Sequence, residues 1–109
     1  MSEVPELEGV RRLLFVCTGN TCRSPMAEAL ARAAAGERGL DELEVRSAGT
    51  MASAGSPASR GAVQAAREAG LDLTGHGSSK VTAELVGWAD LVVCMAPSHR
   101  MDVAQFDPD

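Results

Sequence analysis

Hydrophobic positions along this chain alternate between short unbroken runs and spaced stripes. Within Arg11 to Cys17, the run Leu13-Leu14-Phe15-Val16 predicts a strand buried on both faces. A polar turn follows, and Ser24-Pro25 reads as a helix start, with Ser24 capping free amides and Pro25 at the first helical position. Met26, Ala29, Leu30 and Ala33 then recur at helical spacing, placing Glu28 and Arg32 on the opposite side, and Gly36 and Gly39 end the helix. Leu43 to Ser47 predicts a second strand. The stretch after it, SAGTMASAGSPAS, is too polar and too rich in glycine and proline for core. Ala58 to Ala69 predicts a helix with Ala62, Val63, Ala66 and Ala69 on one face and Gly70 as its stop. Thr82 caps a short helix through Trp88, expected in the core. Leu91 to Met95 predicts a third buried strand, and Pro97 opens a last helical turn or two.

Buried strands alternating with helices imply an α/β fold, a three-layer α/β/α arrangement on a parallel sheet with right-handed crossovers. The 109 residues hold one domain, 1–109, with no internal repeat and no linker. Ligand sites in such sheets lie beyond the carboxyl ends of strands, where the turn after Cys17 falls.

Charge and cysteine usage narrow the partners. A net charge of −5 argues against duplex nucleic acid or an anionic membrane as partner. No run of about 18 apolar residues spans a membrane, and the acidic start MSEVPELEG is no signal peptide. Three cysteines without a secretory signal imply reduced thiols and a cytoplasmic protein.

The turn itself carries the chemistry. Thr18, Gly19, Asn20, Thr21, Cys22 and Arg23 lie between a strand end and a helix start, so their amides curl toward one centre. The helix N-terminus adds partial positive charge there. Such a nest binds a tetrahedral oxyanion such as phosphate, which Arg23 grips with its planar fork. Gly19 permits unusual backbone angles, and Asn20 tolerates the left-handed region. The same field favours a thiolate on Cys17, making it a nucleophile aimed at bound phosphorus, with Ser24 hydrogen-bonding the sulfur when it leaves. Cys22, five residues on, can trap an oxidised Cys17 as a disulfide. Cys94 is expected to serve packing alone.

The order Cys-x5-Arg-Ser resembles the low-molecular-weight protein tyrosine phosphatase family, and VCTGNTCRSPMAEA is similar to its bacterial protein arginine phosphatase members. The resemblance extends to RSAGT at 46–50, GLDLTGHGSSKVT at 70–82 and ADLVVCM at 89–95. It implies Cys17 as nucleophile, Arg23 as transition-state clamp and Ser24 as the thiolate's partner. It further implies that Asn20 holds the loop shape, buttressed by Ser47 and His76. The substrate would be a phosphorylated protein side chain, with no cofactor and no metal.

Family members continue through a further strand, an Asp-Pro general acid and a final helix. Asp107-Pro108 lies only twelve residues after Met95, so Asp107 is expected to sit in a polar turn and the chain to lack that strand, helix and acid. The third strand would then leave one side open. Phosphoarginine is the favoured substrate. Tyrosine-directed relatives typically carry isoleucine where Thr21 stands, and loop 48–59 offers no aromatic wall for a phosphotyrosine ring. The alternatives are a protein tyrosine phosphatase of the same family or a phosphate-binding module with little turnover. An arsenate reductase on this scaffold would need relay cysteines that do not follow Cys94 in the right register.

Overall fold

The computed structural model describes residues 9–40 and 42–106. In chain order the elements are β1 (Arg12–Cys17), α1 (Arg23–Glu37), β2 (Glu44–Gly49), α2 (Arg60–Glu68), α3 (Ala83–Trp88), β3 (Leu91–Cys94) and α4 (Pro97–Ala104). The three strands form a parallel sheet in the order β2-β1-β3. The expected parallel α/β architecture and the expected strand order are both present.

Register sorts the side chains into two layers. Val16 pairs with Ala48 and Cys94, and Leu14 with Val92, so these residues share one face. Leu14, Val16 and Ala48 are fully buried there against Val81 and Val86, with Leu85, Trp88 and Val103 packed around them. Burying each such Val or Leu contributes about 1.5–3 kcal/mol relative to exposure. Phe15 pairs with Ser47 on the opposite face, where α1 crosses β1 and β2. A second cluster, Ala58, Ala62, Ala66 and Leu73, joins α2 to Met26 and Ala29 of α1.

Several expectations are corrected. Ser24 is not the cap of α1: the helix starts at Arg23, Cys22 occupies the cap position, and no side chain caps it. Ser24 is instead wholly buried, its hydroxyl engaged elsewhere. Leu30 is exposed, whereas Glu28 of the expected polar side turns its carboxylate inward to β2. Gly36 lies inside α1 rather than ending it. Stretch 47–59 is not wholly outside the core, because Ala48, Ala52 and Ala58 are buried. Their small side chains let the backbone close on the turn after β1. At Gly49 a Cβ would collide with the Thr18 carbonyl and the Asn20 amide. β3 is half-buried throughout, not fully buried, and it lies at one edge of the sheet. Trp88 is likewise half-buried, its ring stacked under the Arg46 guanidinium at 4.3 Å.

Other sequence signals formed as expected. Thr82 Oγ1 accepts the Leu85 amide at 3.1 Å and caps α3, and Pro97 opens α4. Gly70, at φ +81°, ends α2 in the left-handed region that glycine enters without strain.

Candidate active site

Residues 17–24 run from the carboxyl end of β1 into the first turn of α1. Their conformation is set by neighbours distant in sequence. The Thr50 amide donates to Cys17 O at 2.9 Å, Met51 N to Thr18 O at 2.9 Å, and Ser59 N to Thr21 O at 2.7 Å. The loop is therefore anchored by the segment after β2 and by the residue that caps α2.

Asn20 is the hub. It is completely buried and sits at φ 56°, a left-handed conformation that asparagine adopts more readily than most residues. Its amide donates to Cys17 Sγ at 3.2 Å. Its Nδ2 donates to Ser24 Oγ at 2.8 Å and to Ser47 Oγ at 2.9 Å. Oδ1 accepts the Ser79 amide at 2.8 Å, and the carbonyl accepts His76 Nε2–H at 2.7 Å. Every polar group of the residue is used, which offsets the cost of burying it.

Cys17 is buried, and its sulfur lies 2.8 Å from Ser24 Oγ as well as 3.2 Å from the Asn20 amide. Two donors converging on one sulfur stabilise negative charge there. Above it opens a depression of about 240 Å³ lined by Cys17, Thr18, Gly19, Thr21, Cys22, Arg23 and His99. Arg23 is exposed at its rim, and the free thiol of Cys22 is exposed there too. All seven loop residues named from sequence thus belong to one turn, with Ser47 and His76 both bonded to Asn20.

Three side chains were not singled out from sequence. His99 of α4 is buried and places Nε2 3.0 Å from Thr18 Oγ1. Its Nδ1 accepts the Ala96 amide at 3.1 Å, so Nε2 carries the hydrogen and donates to the threonine. The signal available was a histidine two residues after a helix-opening proline at a third strand's end. Glu28 and Arg32 were placed only on the side of α1 opposite its apolar positions. Glu28 Oε1 accepts the Ser47 hydroxyl at 2.6 Å, and Arg32 Nη2 lies 2.6 Å from Glu28 Oε2 while donating to Val45 O at 2.7 Å.

Cys94 lies away from the loop, packed against the first core cluster, and burial pushes its thiol above the ordinary range, with Arg100 partly offsetting this. Asp107 lies outside the described residues. Among the described residues, no cluster of three or more His, Cys, Asp or Glu side chains is placed to hold a metal ion. No helix among them is long and apolar enough to cross a membrane.

The sequence pattern of low molecular weight phosphotyrosine protein phosphatases matches residues 12–108. The chain belongs to that family. Within the family, it is 49% identical over 92 residues to a protein-arginine-phosphatase of Bacillus subtilis, covering 84% of this chain and 60% of that one. It is 37% identical over 99 residues to a probable low molecular weight protein-tyrosine-phosphatase, EpsP, of Ralstonia solanacearum, covering 91% and 65%. Among solved phosphatases of this family, YwlE arginine phosphatase with a phosphorylated active-site serine superposes with a TM-score of 0.84 at 47% identity, over 89% of this chain and 63% of that one. The chain therefore spans somewhat under two thirds of the length of these relatives.

Proposed function

We propose that this chain is a cysteine-dependent protein phosphatase domain of the cytoplasm, hydrolysing phosphorylated side chains through a phosphocysteine intermediate and favouring phosphoarginine. The observation that carries the reading is Cys17 Sγ at the floor of an oxyanion-sized depression, held by Ser24 and the Asn20 amide with Arg23 at the rim. The amides of the turn other than that of Asn20, which is taken by the Cys17 sulfur, bind the phosphoryl oxygens together with the guanidinium of Arg23. The Cys17 thiolate attacks phosphorus as the P–N bond of phosphoarginine breaks, and the leaving guanidine takes up a proton from solvent water. Water then attacks phosphorus, the S–P bond breaks, and phosphate and the thiolate are released, with Ser24 hydrogen-bonded to the departing sulfur. When a peroxide oxidises Cys17 to the sulfenic acid, the Cys22 thiol attacks that sulfur, forming the disulfide with loss of water. The chemistry calls for no cofactor and no metal.

Support for the arginine preference comes from Thr21 and from the relatives, which include protein-arginine-phosphatases at 49% and 42% identity. Thr21 lines the depression and offers a hydroxyl to a guanidinium nitrogen, and loop 48–59 contributes no aromatic wall. The test is turnover of a phosphoarginine peptide and of an aryl phosphate, with iodoacetamide labelling mapped by mass. Labelling at Cys17 blocked by phosphate or vanadate, together with turnover, is the expected result. Binding of phosphate without turnover reduces the reading to a phosphate-binding module, and no protection at Cys17 removes it.

A further inference from the structure

A cavity of about 890 Å³ runs along the outer side of β2, walled by α1, by the 70–79 segment and by Leu85 of α3. It shares no lining residue with the depression over Cys17. β2 is one edge of the sheet, and its bonds show which way its backbone groups point. The Glu44 amide donates to Arg11 O at 2.7 Å and the Thr50 amide to Cys17 O at 2.9 Å, so the even-numbered residues of this stretch face β1. In a parallel ladder each residue turns its N–H and C=O to one neighbour, and the next residue turns both the other way. Val45, Ser47 and Gly49 therefore point outward.

Two of these three are engaged by the chain itself. Arg32 Nη2 donates to Val45 O at 2.7 Å. Gly49 forms a parallel bridge with Lys80, its amide donating to Ser79 O at 2.8 Å and its carbonyl accepting the Val81 amide at 2.9 Å. Ser47 stands between them on the cavity wall and is only 8% exposed. Its backbone N–H and C=O meet no partner among the described residues. Buried backbone groups are nearly always paired, so an exposed-edge pair inside a cavity calls for an occupant. We propose that this cavity is a docking groove for a short, extended, acidic segment of a partner protein, which adds to the edge of β2 at Ser47.

The chemistry of the occupant follows from what the groove leaves unmatched. Ser47 offers one donor and one acceptor side by side, the complement of a peptide backbone; a carboxylate or phosphate would use the donor and leave the carbonyl bare. The chain's own Ser79–Val81 makes the same kind of pairing one step along, at Gly49. Among the charged side chains, Glu28 and Arg32 hold each other at 2.6 Å, and Asp72 Oδ1 accepts the Thr74 amide and hydroxyl. Arg46 has no carboxylate partner among the described residues. Its exposed guanidinium is held on the Trp88 ring at 4.3 Å, which fixes a positive charge beside the open edge for an acidic side chain to meet. Side chains alternate along a strand, so the occupant's next residue faces the apolar wall of Ala29, Ala33 and Leu71.

The probe is an acetylated, amidated pentapeptide of alternating valine and glutamate, titrated into the full chain while amide hydrogen exchange is followed residue by residue. At saturation the Ser47 amide should exchange about tenfold or more slowly, and N-methylation of the peptide backbone should weaken binding about five- to tenfold by removing the donor to the Ser47 carbonyl. Arg46→Ala should weaken the glutamate peptide about two- to fivefold, the weight of an exposed ion pair, and leave a valine–glutamine peptide unchanged. A Cβ at Gly75 meets no atom within 4 Å, so Gly75→Trp has room for its ring in the groove and should abolish binding. Vanadate should leave the peptide's affinity unchanged. An unaltered Ser47 exchange rate, equal binding by the methylated peptide or by Gly75→Trp, or displacement by vanadate overturns the proposal. So do equal affinities for the glutamate and glutamine peptides. Protection of Ser47 that rises with chain concentration in the absence of peptide gives the edge to a second copy and overturns it as well.

Discussion

His99 Nε2 donates to the Thr18 hydroxyl across 3.0 Å, joining the start of α4 to the first residue after β1, 81 positions earlier in the chain. The imidazole spans two structural needs, since Nδ1 also takes the Ala96 amide that α4 leaves free at its start. His99→Leu keeps the volume and removes both bonds. It should lower stability by about 1–3 kcal/mol, because the Ala96 amide loses its acceptor in a partly buried place. It should also reduce kcat/KM for an aryl phosphate about tenfold, because Thr18 loses its fixed orientation. Urea unfolding and steady-state kinetics measure the two, and wild-type values of both would show that His99 only fills space.

Asn20→Ala removes the donors to Ser24 and Ser47 and leaves the Ser79 amide without its acceptor. It also places alanine at φ 56°, costing roughly 1–2 kcal/mol for the left-handed backbone alone. The expected loss of stability is about 2–4 kcal/mol, among the larger effects a single substitution produces. Denaturant titration measures it. Asn20→Gly relieves the backbone cost and should recover about 1 kcal/mol of the loss. No difference between the two variants would mean that backbone geometry contributes nothing at this position.

Arg23→Lys retains the charge and loses the planar fork, so catalysis should suffer more than folding. Loss of one preorganised oxyanion donor costs on the order of 100-fold in kcat. Arg23 is exposed, so the unfolding midpoint should stay within error of wild type. Activity near wild type with unchanged phosphate affinity would exclude Arg23 as the clamp.

Thr21→Ile exchanges a hydroxyl for apolar bulk beside the bound phosphoryl group, and its backbone carbonyl still receives the Ser59 amide at 2.7 Å. The ratio of kcat/KM for phosphoarginine over phosphotyrosine peptides should fall about tenfold or more, since a lost polar contact and added apolar area act in the same direction. A constant ratio would move the determinant to loop 48–59.

Asp90 contributes to stability toward acid. Its Oδ2 accepts the Arg11 and Arg12 amides at 2.9 and 3.0 Å, and Arg12 lies 3.8 Å from Oδ1. The Arg11 amide is the largest of the influences that hold this carboxyl below its ordinary value of 3.8. A depressed folded value means that the carboxylate stabilises the fold above the ordinary value and that this contribution fades as pH falls through the lower folded one. Asp90→Asn should therefore destabilise the chain at pH 7 and flatten the decline below about pH 4. Thermal unfolding from pH 7 to pH 2 measures the slope, and parallel curves for both proteins would remove Asp90 from the acid transition.

Local signals were enough for the strands and the helices, and they marked the turn after β1 as the candidate site. A buried strand needs a run such as Leu13–Val16, a stop needs a residue such as Gly70, and an oxyanion nest needs small residues ahead of a helix start with an arginine beside a cysteine. All of these are written within about a dozen consecutive residues. Side-chain assignments that depend on what crosses the helix were not legible. Ser24 read both as a cap and as the partner of the Cys17 sulfur; the hydroxyl does lie 2.8 Å from that sulfur, but it caps nothing, because the first turn of α1 is buried under Asn20. Glu28 and Arg32 read only as lying opposite the apolar stripe of α1, and only the passage of β2 beneath α1 gives Glu28 the Ser47 hydroxyl and Arg32 the Val45 carbonyl. His99 could not be tied to Thr18 until β3 returned beside β1 and carried α4 to the mouth of the turn. Chemistry was readable wherever the partners are neighbours in the chain. The contacts that fix Asn20 and Thr18 from outside the turn were left to the tertiary structure, because hydrogen bonds between residues 27 to 81 positions apart exist only after the strands have paired.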